Sequence, residues 1–227
     1  MIYALLLMLT ALVWEAGAHP ERYQLRASMV SLAWLLASVP VVLFTGPFEL
    51  RAFALARSAG WGSAWLGSAL FVPVLVVVDD WLHYWVHRGA HHYSVAWRWA
   101  HRVHHSSPDF NLLVAVRFSF VGHLTGAVLP WLGLVLVGFP AREVIAVRAW
   151  NMVYQWLCHV RWGSGLPSWV SRVFVTGDSH ALHHASNACY WDGNFGAVFS
   201  CWDRWFGTEL RELPGEVVVY GVNRGDG

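Results

Sequence analysis

The sequence predicts an all-α integral membrane bundle of about four transmembrane helices, carrying a cytoplasmic helical cap with a histidine-rich dimetal site. Three observations lead there. First, 56% of the 227 residues are hydrophobic and only 13% are charged, against about 25% charged in an ordinary soluble domain. Second, apolar runs of membrane-spanning length recur along the chain. Third, there are 13 histidines, nearly as many as the 14 acidic residues, and most of them fall into clusters at helical spacing. The net charge of +1 gives no reason to expect nucleic acid as a partner. All 15 basic residues are arginine. The three cysteines form no C-x-x-C pair, which argues against a disulfide framework.

The elements follow in order. Ile2 to Trp14 is apolar but short for a span. Ala16-Gly17-Ala18 has the small-x-small look of a cleavage site, yet no basic residue precedes the apolar stretch, so a retained helix is expected. Ser28 to Phe48 is long enough to cross, with Pro40 and Pro47 expected to kink or end it. Trp61–Val78, Val121–Phe139 and Glu143–Val160 supply three more spans. Arg57, Ser58 and Gly60 mark one turn, and Gly138, Pro140 and Arg142 another. These spans leave two polar regions, Asp79–Ser119 and Arg161 onward. Pairing the helices as hairpins puts both on one membrane face. That face is rich in arginine, while the opposite loops carry Arg51, Arg57 and Arg142, so the polar face is expected in the cytoplasm. The division is then 1–78, an N-terminal transmembrane region; 79–213, a catalytic region with two further spans; and 214–227, a flexible tail.

The histidines carry the chemistry. His83 and His87 are four apart. His101, His104 and His105 form H-x2-H-H, and His180, His183 and His184 repeat it. Steps of three and four place side chains on one helix face, so each cluster should present its imidazoles in one direction. Three clusters offer eight nitrogens, enough for two metals with open positions. Imidazole suits iron, zinc, copper and nickel alike. Burying so many histidines beside a bilayer without a shared partner would be costly. Arg148, Asn151, Gln155 and His159 form one polar stripe along their helix, ending at the level of the clusters. This makes His159 a ninth ligand candidate, with Gln155 behind it.

Other polar residues are candidates for orienting the ligands. Asp80 sits three residues before His83 and could accept an imidazole N–H, and Asp79 is its alternative. His91 continues the 83, 87, 91 series and faces the site. Asp178 precedes the last cluster as a helix cap or an acceptor, and Asp192 and Asn194 follow it. His19, His92 and His123 are weaker, and Asp203 and Arg204 look structural.

At these residues the sequence resembles the fatty acid hydroxylase/sterol desaturase superfamily of integral membrane di-iron enzymes. The resemblance runs from Asp80 to about Thr208, in the family's order. It comprises His83, His87 and Arg88; Trp99-Ala-His-Arg-Val-His-His-Ser; Leu113 to Phe118 as Leu-x-x-x-Arg-Phe; His159; the second H-x2-H-H; Asn194-Phe-Gly; and Trp202-Asp-Arg-x-Phe-Gly-Thr. Ser119-Phe120 stands where many members have His-Pro, and Arg161 where many have Asn. The resemblance implies two iron ions and O₂ as co-substrate. It implies hydroxylation of a C–H bond in a lipid, fatty acyl, sterol or other isoprenoid. A desaturase or a carotenoid-type hydroxylase would use the same site. No haem or flavin motif is present in the sequence, so electrons are expected from a separate ferredoxin or cytochrome b5 with its reductase. The location implied is a bacterial cytoplasmic membrane, active site inward. A zinc hydrolase is disfavoured because no Glu lies within a cluster. A metal transporter is disfavoured because the clusters flank the spans instead of interrupting them.

Overall fold

Every long element among the described residues is helical, and the only β contacts are three isolated bridges. The computed structural model describes residues 2–59, 70–124 and 128–222. In order the helices are α1 (Ile2–Ala18), α2 (Leu25–Ala59), α3 (Phe71–His92), α4 (Ser94–Ala96), α5 (Phe120–Leu124), α6 (Leu129–Leu136), α7 (Ala141–Leu157), α8 (Ser168–Val173), α9 (Gly177–His183) and α10 (Cys201–Trp205).

Helices α2, α3, α6 and α7 pack around Phe53, Leu75, Trp131, Leu134, Val135 and Val144. Their outer faces are apolar and exposed, as at Leu36, Leu43, Phe44, Val72 and Val77. Helix α1 packs through Met8, Ala11 and Leu12 on Leu112, Ala115 and Trp156. Its Glu15 carboxylate is buried, accepting the Leu112 N–H at 3.0 Å and the Tyr23 hydroxyl at 2.5 Å.

Three expectations about the spans change. Helix α2 does not end at Pro40 or Pro47 but continues through both to Ala59. Each proline deletes one N–H, but seven residues apart they leave their gaps on one face. In apolar surroundings the remaining backbone groups have no better partners than each other. Among the described residues, Leu25–Arg57 is the one helix long and apolar enough to cross a membrane. Half of Trp61–Val78, and the turn at Gly60, lie outside the described residues; from Phe71 onward that stretch is the start of the longer α3. The expected helix Val121–Phe139 is broken into α5 and α6. Pro130 sits in the first turn of α6, the helical position where a missing N–H costs nothing.

The turn at Gly138–Pro140 is present. The Gly138 N–H reaches the Val135 carbonyl and the Phe139 N–H reaches that of Leu134, a Schellman closure with Gly138 at φ 110°. Pro140 then caps α7. The chain after residue 213 was expected to be loose, yet Leu213–Val222 is a bound strap. Ser186 and Asn187 hydrogen-bond the backbone of Val217 and Val219, and Val218 packs on Leu182, Ala185 and Tyr190. Residues 223–227 lie outside the described part.

Candidate metal centre

The histidines gather at the polar ends of α3 and α7, beside the irregular segment after α4 and under α9. That irregular segment departs from the regular helix its spacing predicts. Trp97–His101 is one π-turn closed by the Arg102 N–H on the Trp97 carbonyl at 2.7 Å, and His104–Ser106 is a 3-10 turn. Such wide turns concentrate at functional sites. Helix α9 starts with a reciprocal capping box between Thr176 and Ser179. Its first residue must be Gly177, because a Cβ there would lie 1.7 Å from the Val160 carbonyl oxygen. That close approach brings α9 against His159.

Two groups of imidazoles result. His87, His91, His101, His105 and His183 form one, and His104, His159, His180 and His184 the other; within each, one nitrogen per ring lies within 4.8 Å of all the others. Either could hold a metal ion. The two H-x2-H-H clusters are split between the groups instead of pointing one way. His101 with His105, and His180 with His184, keep company at a spacing of four, while His104 and His183 cross over. A step of four turns the helix about 40° past full circle and a step of three about 60° short of it, so the third ring faces elsewhere. The groups touch through the rings of His105 and His184, stacked at 4.3 Å and 18°.

The first shell of hydrogen bonds fixes which nitrogen is free. His87 Nδ1 donates to the Phe195 carbonyl at 2.9 Å, His183 Nδ1 to that of Gly193 at 2.9 Å, and His159 Nδ1 to that of Gln155 at 2.9 Å. A carbonyl only accepts, so in each neutral ring Nε2 carries a bare lone pair. Burial, helped by the neighbouring rings, holds His101, His104, His105, His180, His183 and His184 well below the ordinary imidazole range. They are therefore neutral imidazoles, the form in which a ring nitrogen can bind a metal. The bare His87 Nε2 faces His101 Nε2 at 3.1 Å, and the bare His159 Nε2 faces both His104 and His180 Nε2 at 3.3 Å. His183 Nε2 and His184 Nε2 are buried with no hydrogen-bond partner. Two nitrogens sharing one cation at about 2.1 Å stand about 3.0–3.4 Å apart. The residues present fit a pair of nitrogen-preferring metal ions.

His83 belongs to neither group. Its ring lies 5.6 Å from His87 and 6.4 Å from Trp131, one turn nearer the apolar end of α3. His91, expected to face the site and orient a ligand, stands within the five-ring group itself, 4.6–4.8 Å ring to ring from His101, His105 and His183. Both 83/87 and 87/91 are spaced by four, so spacing alone does not choose. The side chain of His123 lies outside the described residues.

Carboxylates act through the backbone here. Asp80 accepts the Val198 and Phe199 N–H groups and the Trp202 Nε1–H at 2.8–2.9 Å, so it binds the closing loop and not an imidazole N–H. Asp79 takes Trp131 Nε1–H at 2.7 Å and Asn151 Nδ2–H at 2.8 Å, and Asn151 in turn accepts from Gln155 Nε2. The polar stripe of α7 is thus a chain of hydrogen bonds from α3 to His159, in which Gln155 meets His159 through its carbonyl. Asp203 accepts the Phe195 and Gly196 N–H groups and the Thr208 hydroxyl, although burial raises its carboxyl above the usual range. Asn194, at φ 55°, is tied to Ser179 and Leu210. Asp178 sits at the surface, bonded to Arg161 and Ser164; the cap of α9 is Thr176. Asp192 is exposed, at φ 60°.

No spacing or motif marks Phe110, which stacks on His159 at 5.8 Å and on Tyr220 of the strap at 5.2 Å. Nor does either mark Arg117 as a brace. Its buried guanidinium donates to Ser31 Oγ, the Ala27 carbonyl and Ser106 Oγ. A small cavity outside the five-histidine group is lined by Trp97, Trp191 and His183 and closed by Gly221 and Val222.

The chain is similar to alkylglycerol monooxygenase of Homo sapiens, 34% identical over 71% of this chain and 34% of that protein. The Xenopus tropicalis enzyme of the same name is 32% identical over the same shares. Lathosterol oxidase of Mus musculus is 28% identical over 77% of this chain and 56% of that protein. The chain thus spans about one third of the length of the alkylglycerol monooxygenases. No solved structure matches it. The fatty acid hydroxylase family model matches residues 72–208, a stretch that begins in α3, takes in both histidine groups and ends on the Thr208 hydroxyl that Asp203 holds. On that match the chain belongs to the fatty acid hydroxylase family.

Proposed function

We propose that this chain is a membrane-bound oxidoreductase that uses O₂ and external electrons to hydroxylate a C–H bond of a lipid. The observation that carries the reading is the pair of adjoining histidine groups, each with inward-facing bare nitrogens, in a chain similar to a lipid monooxygenase. The ligands proposed are His87, His91, His101, His105 and His183 for one iron, and His104, His159, His180 and His184 for the other. A bound iron pair would supply the activation of O₂ that an unreactive C–H bond demands; one oxygen atom would enter the substrate and the other leave as water, with two electrons from a carrier and two protons from solvent.

The protein's own groups do the rest. The carbonyls of Phe195, Gly193 and Gln155 aim three rings. Asp80 and Asp203 hold the loop that presents the first of these carbonyls. Phe110 and the strap cover the site and keep water from it. Residues 1–78 are the proposed N-terminal membrane region and 79–213 the catalytic region with two further spans. Helices α2, α3, α6 and α7 would form the bundle, with the histidine face in the cytoplasm of a bacterial cell. A ferredoxin or cytochrome b5-type carrier would deliver electrons there.

The likeness to lathosterol oxidase favours desaturation as the second reading. One experiment separates the two. Protein expressed in iron-rich medium is incubated with ether lipids or sterols, O₂ and a reduced carrier, and the products are analysed by mass spectrometry. A gain of one oxygen atom supports hydroxylation and a loss of two hydrogens supports desaturation. Two coupled irons per chain by Mössbauer spectroscopy are expected; an iron-loaded chain that consumes no O₂ with any lipid would sink both readings.

A further inference from the structure

The cap carries apolar residues that its own fold does not bury. On α8 and just before it, Leu166, Trp169 and Val173 are exposed, and on and beside α10 so are Trp205 and Phe206, with Trp205 at 70%. Helix α10 buries Trp202 and Asp203 on its other face, whereas α8 buries none of its residues. The two helices are contiguous. Ser200, which precedes α10, bonds to the Ser171 carbonyl and to that of Val173, and the Arg204 guanidinium bonds to the Arg172 carbonyl.

The patch joins the outer face of α3. Phe206 stacks on Tyr84 at 5.2 Å and meets Trp85 edge-on at 4.8 Å, and Trp85 meets Trp81 at 6.5 Å. Along that face the chemistry changes in order. Val74 and Val77 are exposed first, then Trp81 and Trp85, then Arg88, whose guanidinium lies 5.5 Å over the Trp85 ring. Aliphatic, then aromatic, then guanidinium is the order met on leaving the hydrocarbon for the headgroups. The α8–α10 patch stands at the aromatic level of this series, because Trp202, packed on Trp205 at 5.2 Å, is hydrogen-bonded to Asp80. Arg172 and Arg204 lie on the same two helices, with Arg204 also 3.5 Å from Glu209.

We propose that α8 and α10 form a shelf seated in the phospholipid interface, with Leu166, Trp169, Val173, Trp205 and Phe206 inserted at headgroup depth and Arg172 facing lipid phosphates. The inference rests on the proposed membrane crossing of α2 and α3. It makes the cap itself, and not only the helices beneath it, a membrane-binding surface. The site is thereby held with its lower side against the layer where a lipid's polar end meets its chain.

The test uses the full chain in nanodiscs of phosphatidylethanolamine and phosphatidylglycerol, with Cys189 and Cys201 changed to Ser. Nitroxide labels are placed at Trp169→Cys and Trp205→Cys, with Leu43→Cys on α2 and Val217→Cys on the strap as references. Electron paramagnetic resonance then reads collisions with oxygen against those with a water-soluble nickel chelate. The expected oxygen-to-nickel ratio at 169 and 205 is severalfold above that at 217 and below that at 43. A ratio equal to that at 217 overturns the shelf. So does loss of both collisions, which would mean a second copy or a protein partner covers the patch. If 43 also reads as water, the membrane crossing fails together with the shelf. The two short helices are read without metal, so failure of the oxygenase reading is a separate result. A label-free check covers misfolding: Trp169→Ser with Trp205→Ser should keep the thermal transition and metal content of the parent, yet show faster hydrogen exchange across 166–173 in nanodiscs.

Discussion

The two histidine groups differ in number and in how they are held. The five-ring group has a ring to spare and depends on a loop. His87 and His183 are aimed by the carbonyls of Phe195 and Gly193, and that loop hangs on Asp80 and Asp203. The four-ring group has no spare. Its central ring, His159, is aimed by its own helix through Gln155 and covered by Phe110. One half of the site is thus plastic and carboxylate-braced, the other minimal and built into a helix end. The difference teaches that sensitivity to mutation should follow the bracing, not the motif.

The largest effect is expected from His159→Ala. It leaves three rings in its group, so metal per chain should fall from two to one and turnover by at least about 100-fold, by elemental analysis and product assay. Loss of both ions would show that the groups do not load independently. Next comes Asp203→Ala, which strands the buried Phe195 and Gly196 N–H groups. The cost should be about 2–4 kcal/mol in thermal unfolding, with affinity of the five-ring group alone weakened about 10- to 100-fold in chelator competition. Equal weakening of both groups would break the comparison. His91→Ala should be milder, since four rings remain; both metals stay, one of them more easily chelated. Phe110→Leu keeps most of the apolar volume, and should cost about 1 kcal/mol while hastening metal release from the four-ring group only. His83→Ala should leave metal content unchanged, and a lost ion would restore His83 to the ligand set.

Much of this was legible in the sequence, and the limits have physical causes. Apolar runs and histidine spacing predict helices and a clustered site, and Gly138 with Pro140 predicts the turn that forms. The stripe from Arg148 to His159 points inward as its period requires. Spacing fails where two answers have the same period, as with His83 and His91 on either side of His87. The choice is made by where His183 of α9 meets α3, 4.5 Å ring to ring from His87 and 4.7 Å from His91, a tertiary fact. Spacing also treats H-x2-H-H as one-directional, whereas steps of three and four diverge by about 100° around a helix, so that His104 and His183 each join the other group. The strap has no period at all. It is bound through its backbone to Ser186 and Asn187, and backbone acceptors leave no mark on composition. Helical spacing makes Asp80 a partner for imidazole because it lies on the right face; its bonds to the closing loop join residues more than a hundred positions apart.

Arg117 has one more consequence. Its guanidinium is 2% exposed and all three of its nitrogens are engaged, two on α2 and one beside His105. Pulling α2 from the histidine segment would strip this cation of two of its three partners, a penalty of several kcal/mol while it stays buried. The apolar helices and the cap therefore cannot melt one after the other at low cost. Unfolding of the whole chain should be a single cooperative event, and a nascent chain should gain its histidine site only once α2 is already in place.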